Sequence, residues 1–116
     1  MLPKSGITNK EENLQHIMNS LYDTIKSRKG KNTDNSYTAQ LFDKGLQHIV
    51  QKIGEESTEV VLAAVCETPE KVISESADLL YHLMVLWAEQ NINPYSVFEE
   101  LERRTKFSGV EEKKLR

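Results

Sequence analysis

Acidic residues crowd two short segments of this 116-residue chain, "KIGEESTEVV" at 52–61 and "ESAD" at 75–78. They are Glu55, Glu56 and Glu59 in the first segment, and Glu75 and Asp78 in the second. Like charges three or four residues apart on a helix repel each other by roughly 0.2–0.5 kcal/mol per pair, so a compensating positive charge is expected nearby. Oxygen-only ligands favour a hard cation such as Mg²⁺ or Mn²⁺. The two segments are therefore candidates for a divalent-metal site.

The elements that must position these carboxylates are helices. Apolar residues recur at three- and four-residue intervals, and no segment alternates strictly as a strand would. Turn-forming or capping residues separate the predicted helices at Gly30, Ser36, Gly45, Thr68 and Asn93. The pattern predicts a single all-α domain over 1–116, a bundle of four to five helices, with a carboxyl-terminal tail at 105–116.

Helix geometry places two acidic pairs at the edge of the core. At about 100° per residue, Glu56 and Glu59 lie on one flank of the apolar stripe of their helix, whereas Glu55 points away from it. Glu75 and Asp78 flank the stripe of the next major helix in the same way. The short connection "ETPE" predicts that these two helices pack antiparallel. The two pairs would then face each other.

The acidic pairs could also be a solvated surface or part of a di-iron centre. Acidic clusters on helices are most often simply solvated faces, and a single pair alone would favour that interpretation. Two matched pairs on adjacent helices shift the balance towards a shared site. A di-iron carboxylate bundle would use Glu-x-x-His pairs, and neither acidic pair here has the histidine.

These segments carry a resemblance to a known family. "GEESTE" at 54–59, followed by "ESADLLYHL" at 75–83, resembles the Glu-Glu-x-x-Glu and Glu-x-x-Asp pattern of the all-α nucleoside triphosphate pyrophosphohydrolases. "SYTAQLFDKG" from Ser36 onwards, "ADLLYH" and "SGVEEK" near the end are similar, more specifically, to the phosphoribosyl-ATP pyrophosphatase family of histidine biosynthesis. The resemblance runs from about Ser36 to the end of the chain.

The resemblance implies Mg²⁺-dependent hydrolysis of phosphoribosyl-ATP to phosphoribosyl-AMP and pyrophosphate, and the oxygen-only ligand set leaves Mn²⁺ as an alternative ion. The implied metal ligands are Glu56, Glu59, Glu75 and Asp78. A glutamate that the metal does not fully engage would take the proton of the attacking water, and Glu55, Glu56 and Glu59 are the candidates. Two alternatives stay open, a house-cleaning nucleoside triphosphate pyrophosphohydrolase with the same metal chemistry and a non-enzymatic helical interaction module.

Basic residues and one histidine are weaker candidates for contacts with the substrate. They are Lys52 and Arg104, which we favour slightly, followed by His82, Lys44 and Arg103. Arginine suits bidentate contacts with phosphate, although a lone basic residue on a helix more often faces solvent. His82 lies four residues after Asp78, so it could orient a ligand carboxylate or touch the substrate, or else be a packed core histidine.

Composition limits the classes of partner and compartment. A net charge of −3 argues against nucleic-acid binding by a basic face. No stretch reaches the roughly 20 apolar residues that span a membrane, and no secretory signal is recognisable, so we expect a cytoplasmic protein. The single cysteine, Cys66, is expected to be a small apolar core residue.

Assembly and pathway partners follow from the same patterns. The helix after Thr68 is apolar over an arc wider than the roughly 100° that one packing partner needs, which predicts a homodimer. The resemblance agrees, and it implies active sites near the interface, where Arg103 or Arg104 could reach the metal site of the neighbouring chain. In many members of the family that this chain resembles, the cyclohydrolase that performs the next step is fused to the same chain. Here the 116 residues leave no room for it, and one cysteine cannot supply its zinc ligands, so we expect the cyclohydrolase to be a separate protein.

Overall fold

A computed structural model describes residues 9–106 of the chain. Five α-helices follow one another in this range, and it contains no strand: α1 Asn9–Ser27, α2 Tyr37–Lys44, α3 Leu46–Cys66, α4 Pro69–Glu89 and α5 Pro94–Arg104. The predicted all-α class and the number of helices are confirmed. Apart from Thr105 and Lys106, the predicted tail and its "SGVEEK" segment lie outside the described residues.

Local chemistry explains where the helices begin. The side chains of Ser36, Thr68 and Asn93 each accept a hydrogen bond from a backbone N–H in the first turn of α2, α4 and α5. Proline follows both Thr68 and Asn93, where its missing N–H costs nothing. Gly45 separates α2 from α3 with φ of +94°, a conformation that favours glycine. The helix breaks expected from the sequence are therefore in place.

The core forms where α1 and α2 pack onto the antiparallel pair α3 and α4. Contacts between α3 and α4 are the most extensive, and α4 also packs against both α1 and α2. The largest side chains that are fully buried are Ile25, Leu41, Ile49, Met84 and Val85. We call residues 46–53 and 82–89 the hairpin base, since the buried cluster draws on α3 and α4 only within these two ranges.

The opposite end of the α3–α4 hairpin, residues 60–73, is called the hairpin tip here. Its exposed large apolar side chains are Val61, Leu62, Val65 and Ile73. Cys66 is exposed as well, so the expectation that it is a core residue was wrong. The reason is that Cys66 lies in the last turn of α3 on the side opposite its apolar stripe, whereas Ala63, three residues earlier, is buried. None of the helices within residues 9–106 has the length and apolar character needed to cross a membrane.

Candidate active site

Three carboxylates converge between the hairpin base and the hairpin tip. Glu56 on α3 and Glu75 and Asp78 on α4 each offer one oxygen, and these atoms all lie within 4.8 Å of one another. Glu56 and Glu75 are half-buried, whereas Asp78 is exposed. Three carboxylate oxygens, reachable from solvent and without nitrogen or sulfur ligands, match the preference of a hard divalent cation. We call these three residues the acidic cluster.

The other two glutamates of the first segment lie differently. Glu59 is exposed on α3 and is not one of the three residues of the acidic cluster. The Glu55 carboxylate accepts hydrogen bonds from Lys52 and Gln51, with heavy-atom distances of 3.1 and 3.3 Å. The bond from Lys52 is the main cause that lowers the pKa of Glu55. Helix α3 therefore directs its three glutamates into three different environments.

Lys52 stands beside the acidic cluster, as its candidacy for substrate binding requires. Its Nζ lies 3.1 Å from Oε2 of Glu55 and 3.8 Å from Oε1 of Glu56. The hydrogen bond with Glu55 is the main cause that raises the pKa of Lys52. The ammonium group therefore stays charged next to a carboxylate of the cluster.

His82 links the acidic cluster to the start of α2. The imidazole is buried, and its Nδ1–H donates to the backbone carbonyl of Asp78 at 2.7 Å. Its Nε2 then accepts a hydrogen bond from the Tyr37 hydroxyl at 3.1 Å. Burial is the main cause that raises the pKa of Tyr37, which favours the protonated donor that this bond requires. His82 thus holds the backbone at Asp78, and it does so as a buried histidine.

A second contact joins the same two elements. The side-chain hydroxyls of Thr38 and Tyr81 form a hydrogen bond, one residue along from the Tyr37–His82 pair on each helix. Sequence reasoning missed the roles of Tyr37, Thr38 and Tyr81 as links between α2 and α4. The available signal was that these residues belong to the segments that carried the family resemblance.

The remaining basic candidates lie on α2 and α5. Arg103 and Arg104 both donate to the carboxylate of Glu100, from Nε at 2.9 and 3.4 Å respectively. Chiefly through Arg103, these contacts lower the pKa of Glu100 to about 2. Lys44 is exposed in the last turn of α2. The structure thus gathers Lys52 and His82 around the acidic cluster and places the two arginines around Glu100.

The fold and the site define an all-α protein with a cluster of three carboxylates between two antiparallel helices. Residues 18–105 match the family described as phosphoribosyl-ATP pyrophosphohydrolase. The chain belongs to this family, and the predicted resemblance is confirmed.

Curated relatives agree with the family match. The phosphoribosyl-ATP pyrophosphatase of Paramagnetospirillum magneticum is 52% identical over 100 residues, which cover 86% of this chain and 92% of the relative. The protein of the same name from Rhodospirillum rubrum is also 52% identical, with 86% of each chain covered. The histidine biosynthesis bifunctional protein HisIE of Caldanaerobacter subterraneus is 48% identical, over 78% of this chain and 44% of the relative. The family thus includes both short proteins and parts of longer ones.

Proposed function

We propose that this chain hydrolyses phosphoribosyl-ATP to phosphoribosyl-AMP and pyrophosphate, and that it requires Mg²⁺, which Mn²⁺ can replace. The family and the names of the relatives support the substrate and the reaction. One structural observation carries the metal requirement, namely the convergence of Glu56, Glu75 and Asp78 within 4.8 Å. We place the reaction in histidine biosynthesis, because the bifunctional relative is named as a protein of that pathway.

The electrostatics of the acidic cluster support a bound cation. Three carboxylates this close repel one another, and two of them are partly removed from water, which makes an unpaired charge more costly. Lys52 approaches one of the three, Glu56, at 3.8 Å. A divalent ion held by Glu56, Glu75 and Asp78 would offset the rest. When bound there, Mg²⁺ would supply the positive charge that phosphoryl oxygens need during cleavage between the α and β phosphates.

Glu55 and Glu59 on α3 are the remaining candidates to accept the proton of the attacking water. Glu55 is held by Lys52 and Gln51 and has a lowered pKa, which makes it the weaker proton acceptor. We assign the proton of the attacking water to Glu59, one turn beyond Glu56 and outside the acidic cluster. Glu59→Gln should then lower kcat and leave Mg²⁺ affinity nearly unchanged, as steady-state kinetics and calorimetry would show. A loss of Mg²⁺ affinity would instead make Glu59 a fourth ligand.

Two groups are placed to orient the substrate. The Lys52 ammonium lies next to the cluster and suits contact with a polyphosphate oxygen. The Tyr37–His82 and Thr38–Tyr81 bonds fix α2 against the part of α4 that carries Asp78. Positioning of this kind is a large part of catalysis in phosphoryl transfer, because the transition state needs in-line geometry and charge stabilisation.

We further propose a two-fold homodimer that covers the hairpin tip. A groove of about 420 Å³ runs along the tip, lined mostly by small and apolar residues: Ala63, Ala64, Glu67, Thr68, Pro69, Val72 and Ile73. Val61, Leu62 and Val65 add exposed apolar surface on α3. Contiguous apolar surface usually marks a subunit contact, and a two-fold dimer is the commonest closed arrangement. The family resemblance, which implies active sites near the subunit interface, adds to this proposal that Arg103 or Arg104 contacts the acidic cluster of the partner.

Three further statements about this protein remain predictions. It binds a nucleotide but no nucleic acid, it is located in the cytoplasm, and the cyclohydrolase is a separate chain. The last would take up phosphoribosyl-AMP, the product of the proposed reaction. A two-enzyme assay checks it, since adding a purified cyclohydrolase should consume the phosphoribosyl-AMP that this chain releases, whereas this chain alone should leave it to accumulate.

A pyrophosphate-release assay tests the proposed reaction itself. The purified chain should release pyrophosphate from phosphoribosyl-ATP when Mg²⁺ or Mn²⁺ is present, and excess EDTA should stop the release. ATP and non-standard nucleoside triphosphates serve as the matched competitors. Preference for a non-standard triphosphate over phosphoribosyl-ATP would identify a house-cleaning enzyme, and no release from any nucleotide would identify an interaction module. Release that continues in EDTA would overturn the metal requirement.

A further inference from the structure

We propose that the loop between α1 and α2 binds a phosphate monoester. Resting on the proposed function, we identify this group as the phosphate of the phosphoribosyl unit, at the far end of the substrate from the triphosphate. The loop carries Arg28, Lys29 and Lys31, three cations within four positions of a chain whose net charge is −3. Such local enrichment in an acidic protein is what an anion site requires.

The loop forms two grooves that share Lys31. The first, of about 370 Å³, contains a carboxylate and is lined by Lys29, Gly30, Lys31, Ala39, Phe42 and Asp43. The second, of about 410 Å³, contains none and is lined by Ser27, Arg28, Lys31, Asn32, Asn35 and Ser36. Both volumes lie within the range of small-molecule clefts. Ser27 donates its hydroxyl proton to the carbonyl of Thr24 at 2.6 Å, but each of the other five side chains of the second groove carries a hydrogen-bond donor, so this groove is the one suited to phosphate oxygens.

The cations of the loop differ in their partners. Lys29 forms an ion pair with Glu89 at 2.9 Å and lies over the ring of Phe42, 5.9 Å from its centroid. By contrast, Arg28 and Lys31 form no ion pair within residues 9–106. Lys29 therefore connects the loop to α4 and α2. Arg28 and Lys31, the two cations of the second groove, remain available to pair with an anionic ligand.

Internal hydrogen bonds give the loop a defined shape. The backbone N–H of Asp34 donates to Oδ1 of Asn32 at 2.9 Å, and Gln40 Nε2 donates to the carbonyl of Thr33 at 2.8 Å. The backbone N–H of Lys31 donates to the carbonyl of Arg28 at 3.1 Å. A ligand that binds to a preformed loop loses less free energy to ordering it. The loop that forms the second groove is therefore preorganised for binding.

The position of the groove suits the second phosphate of the substrate. Ser36 lines the groove, and the next two residues, Tyr37 and Thr38, contact His82 and Tyr81 beside the acidic cluster. The triphosphate is expected at the cluster, and phosphoribosyl-ATP carries its other phosphate beyond the adenosine. A site for that phosphate must lie near the cluster but separate from it. ATP lacks this group, so the groove would select phosphoribosyl-ATP over ATP.

Kinetics of the double variant Arg28→Gln/Lys31→Gln test the site. The KM for phosphoribosyl-ATP should rise about tenfold or more for each cation lost, since each makes a charge-assisted bond to phosphate, while kcat should change little. Any residual turnover of ATP should be unaffected. Lys26→Gln is the matched control, because it removes the same charge from the last turn of α1 and lines neither groove. An unchanged KM for phosphoribosyl-ATP would overturn the proposal.

A binding measurement that needs no turnover separates this proposal from the proposed function. Ribose 5-phosphate, titrated without metal and followed by amide NMR shifts, should perturb residues 28–36 in the natural chain and not in the double variant. Inorganic pyrophosphate should compete poorly. If the double variant loses binding of pyrophosphate but not of ribose 5-phosphate, the groove holds the leaving group instead, which contradicts the proposal. If ribose 5-phosphate shifts no amide at 28–36 in the natural chain, the proposed site does not exist. If phosphoribosyl-ATP is not hydrolysed at all, the proposed function fails, and this titration still decides the anion site.

Discussion

The two ends of the α3–α4 hairpin are built from the same helices and differ in what covers them. At the hairpin base, Ile49 and Met84 are 0% exposed, because α1 and α2 pack over them. At the hairpin tip, Val65 is 78% exposed and Ile73 is 70% exposed. Apolar character alone thus does not bury a residue, and within residues 9–106 the buried cluster draws on the base and not on the tip. The proposed homodimer would cover the other end.

The acidic cluster lies at the boundary between these two regions. The side chain of Glu56 is 15% exposed, whereas Asp78 is open to solvent. From the base, the buried His82 donates a hydrogen bond to the backbone carbonyl of Asp78, one of the three residues of the cluster. In the proposed function, the metal and the nucleotide would enter from the exposed side, at Asp78. A site in this position gains strong electrostatics from partial desolvation and keeps access for the substrate.

The largest effect is expected at the boundary itself. Glu75→Gln should lower kcat/KM by more than about 100-fold, since even groups that only support metal ligands cost 10–100-fold when removed. The fold should persist, and relief of repulsion should keep or raise the melting temperature without metal. Pyrophosphate release and circular dichroism melts measure the two effects. Near-normal turnover in this variant would end the assignment of Glu75 as a ligand.

Stability measurements sharpen the contrast between base and tip. Met84→Ala should lower the free energy of unfolding by about 2–5 kcal/mol, because it leaves a cavity in a fully buried site. Val65→Ala truncates an exposed apolar side chain at the tip and should change the stability of an isolated chain by less than about 0.5 kcal/mol. Urea denaturation at low protein concentration compares them. Equal losses would mean that the tip is packed within one chain.

Substitutions at the hairpin tip should change the oligomeric state, although they change the stability of an isolated chain little. Ile73→Lys places a charge in the exposed apolar surface, twice in a two-fold dimer, and should convert the dimer to a monomer at micromolar concentration. Lys71→Ala, a neighbouring change at an exposed polar position of α4, is the control. Light scattering gives the mass. A natural chain that is monomeric and fully active would rule out the dimer as the working form.

The smallest effect concerns the order of two neighbouring glutamates. Glu55→Gln should reduce kcat/KM by less than about tenfold, because Glu55 makes an exposed pair with Lys52 outside the acidic cluster. Glu56→Gln should cost far more, since Glu56 belongs to the cluster. Matched kinetics at saturating Mg²⁺ give the comparison. The reverse order would show that the exposure of Glu55 hides a direct role in the reaction.

Much of the fold is predictable from local sequence. The caps at Ser36, Thr68 and Asn93 and the break at Gly45 are encoded by residues next to the helix ends, so their positions follow from short-range chemistry. Burial is less predictable. Residue type alone suggests a buried Cys66, whereas projection at about 100° per residue places it on the side of α3 opposite the apolar stripe, close to Glu55, and the structure leaves it exposed.

The site is predictable in part for the same reason. Helix projection places Glu56, Glu75 and Asp78 on facing flanks, and in the structure these three lie together. It cannot separate Glu59 from Glu56, since both lie on the same flank and the helix crossing decides which carboxylate reaches α4. The hydrogen bond between Tyr37 and His82 joins residues 45 positions apart, so no local pattern encodes it.

Calorimetric titration of the nucleotide-free protein with Mg²⁺ tests the central claim most directly, because it asks whether the acidic cluster holds a divalent cation. The natural chain should bind Mg²⁺, and Glu75→Gln should lose that binding. Glu70→Gln, an exposed carboxylate in the first turn of the same helix and outside the cluster, should keep it. Equal Mg²⁺ affinity in all three proteins, or no binding in the natural chain, would contradict the metal-site assignment.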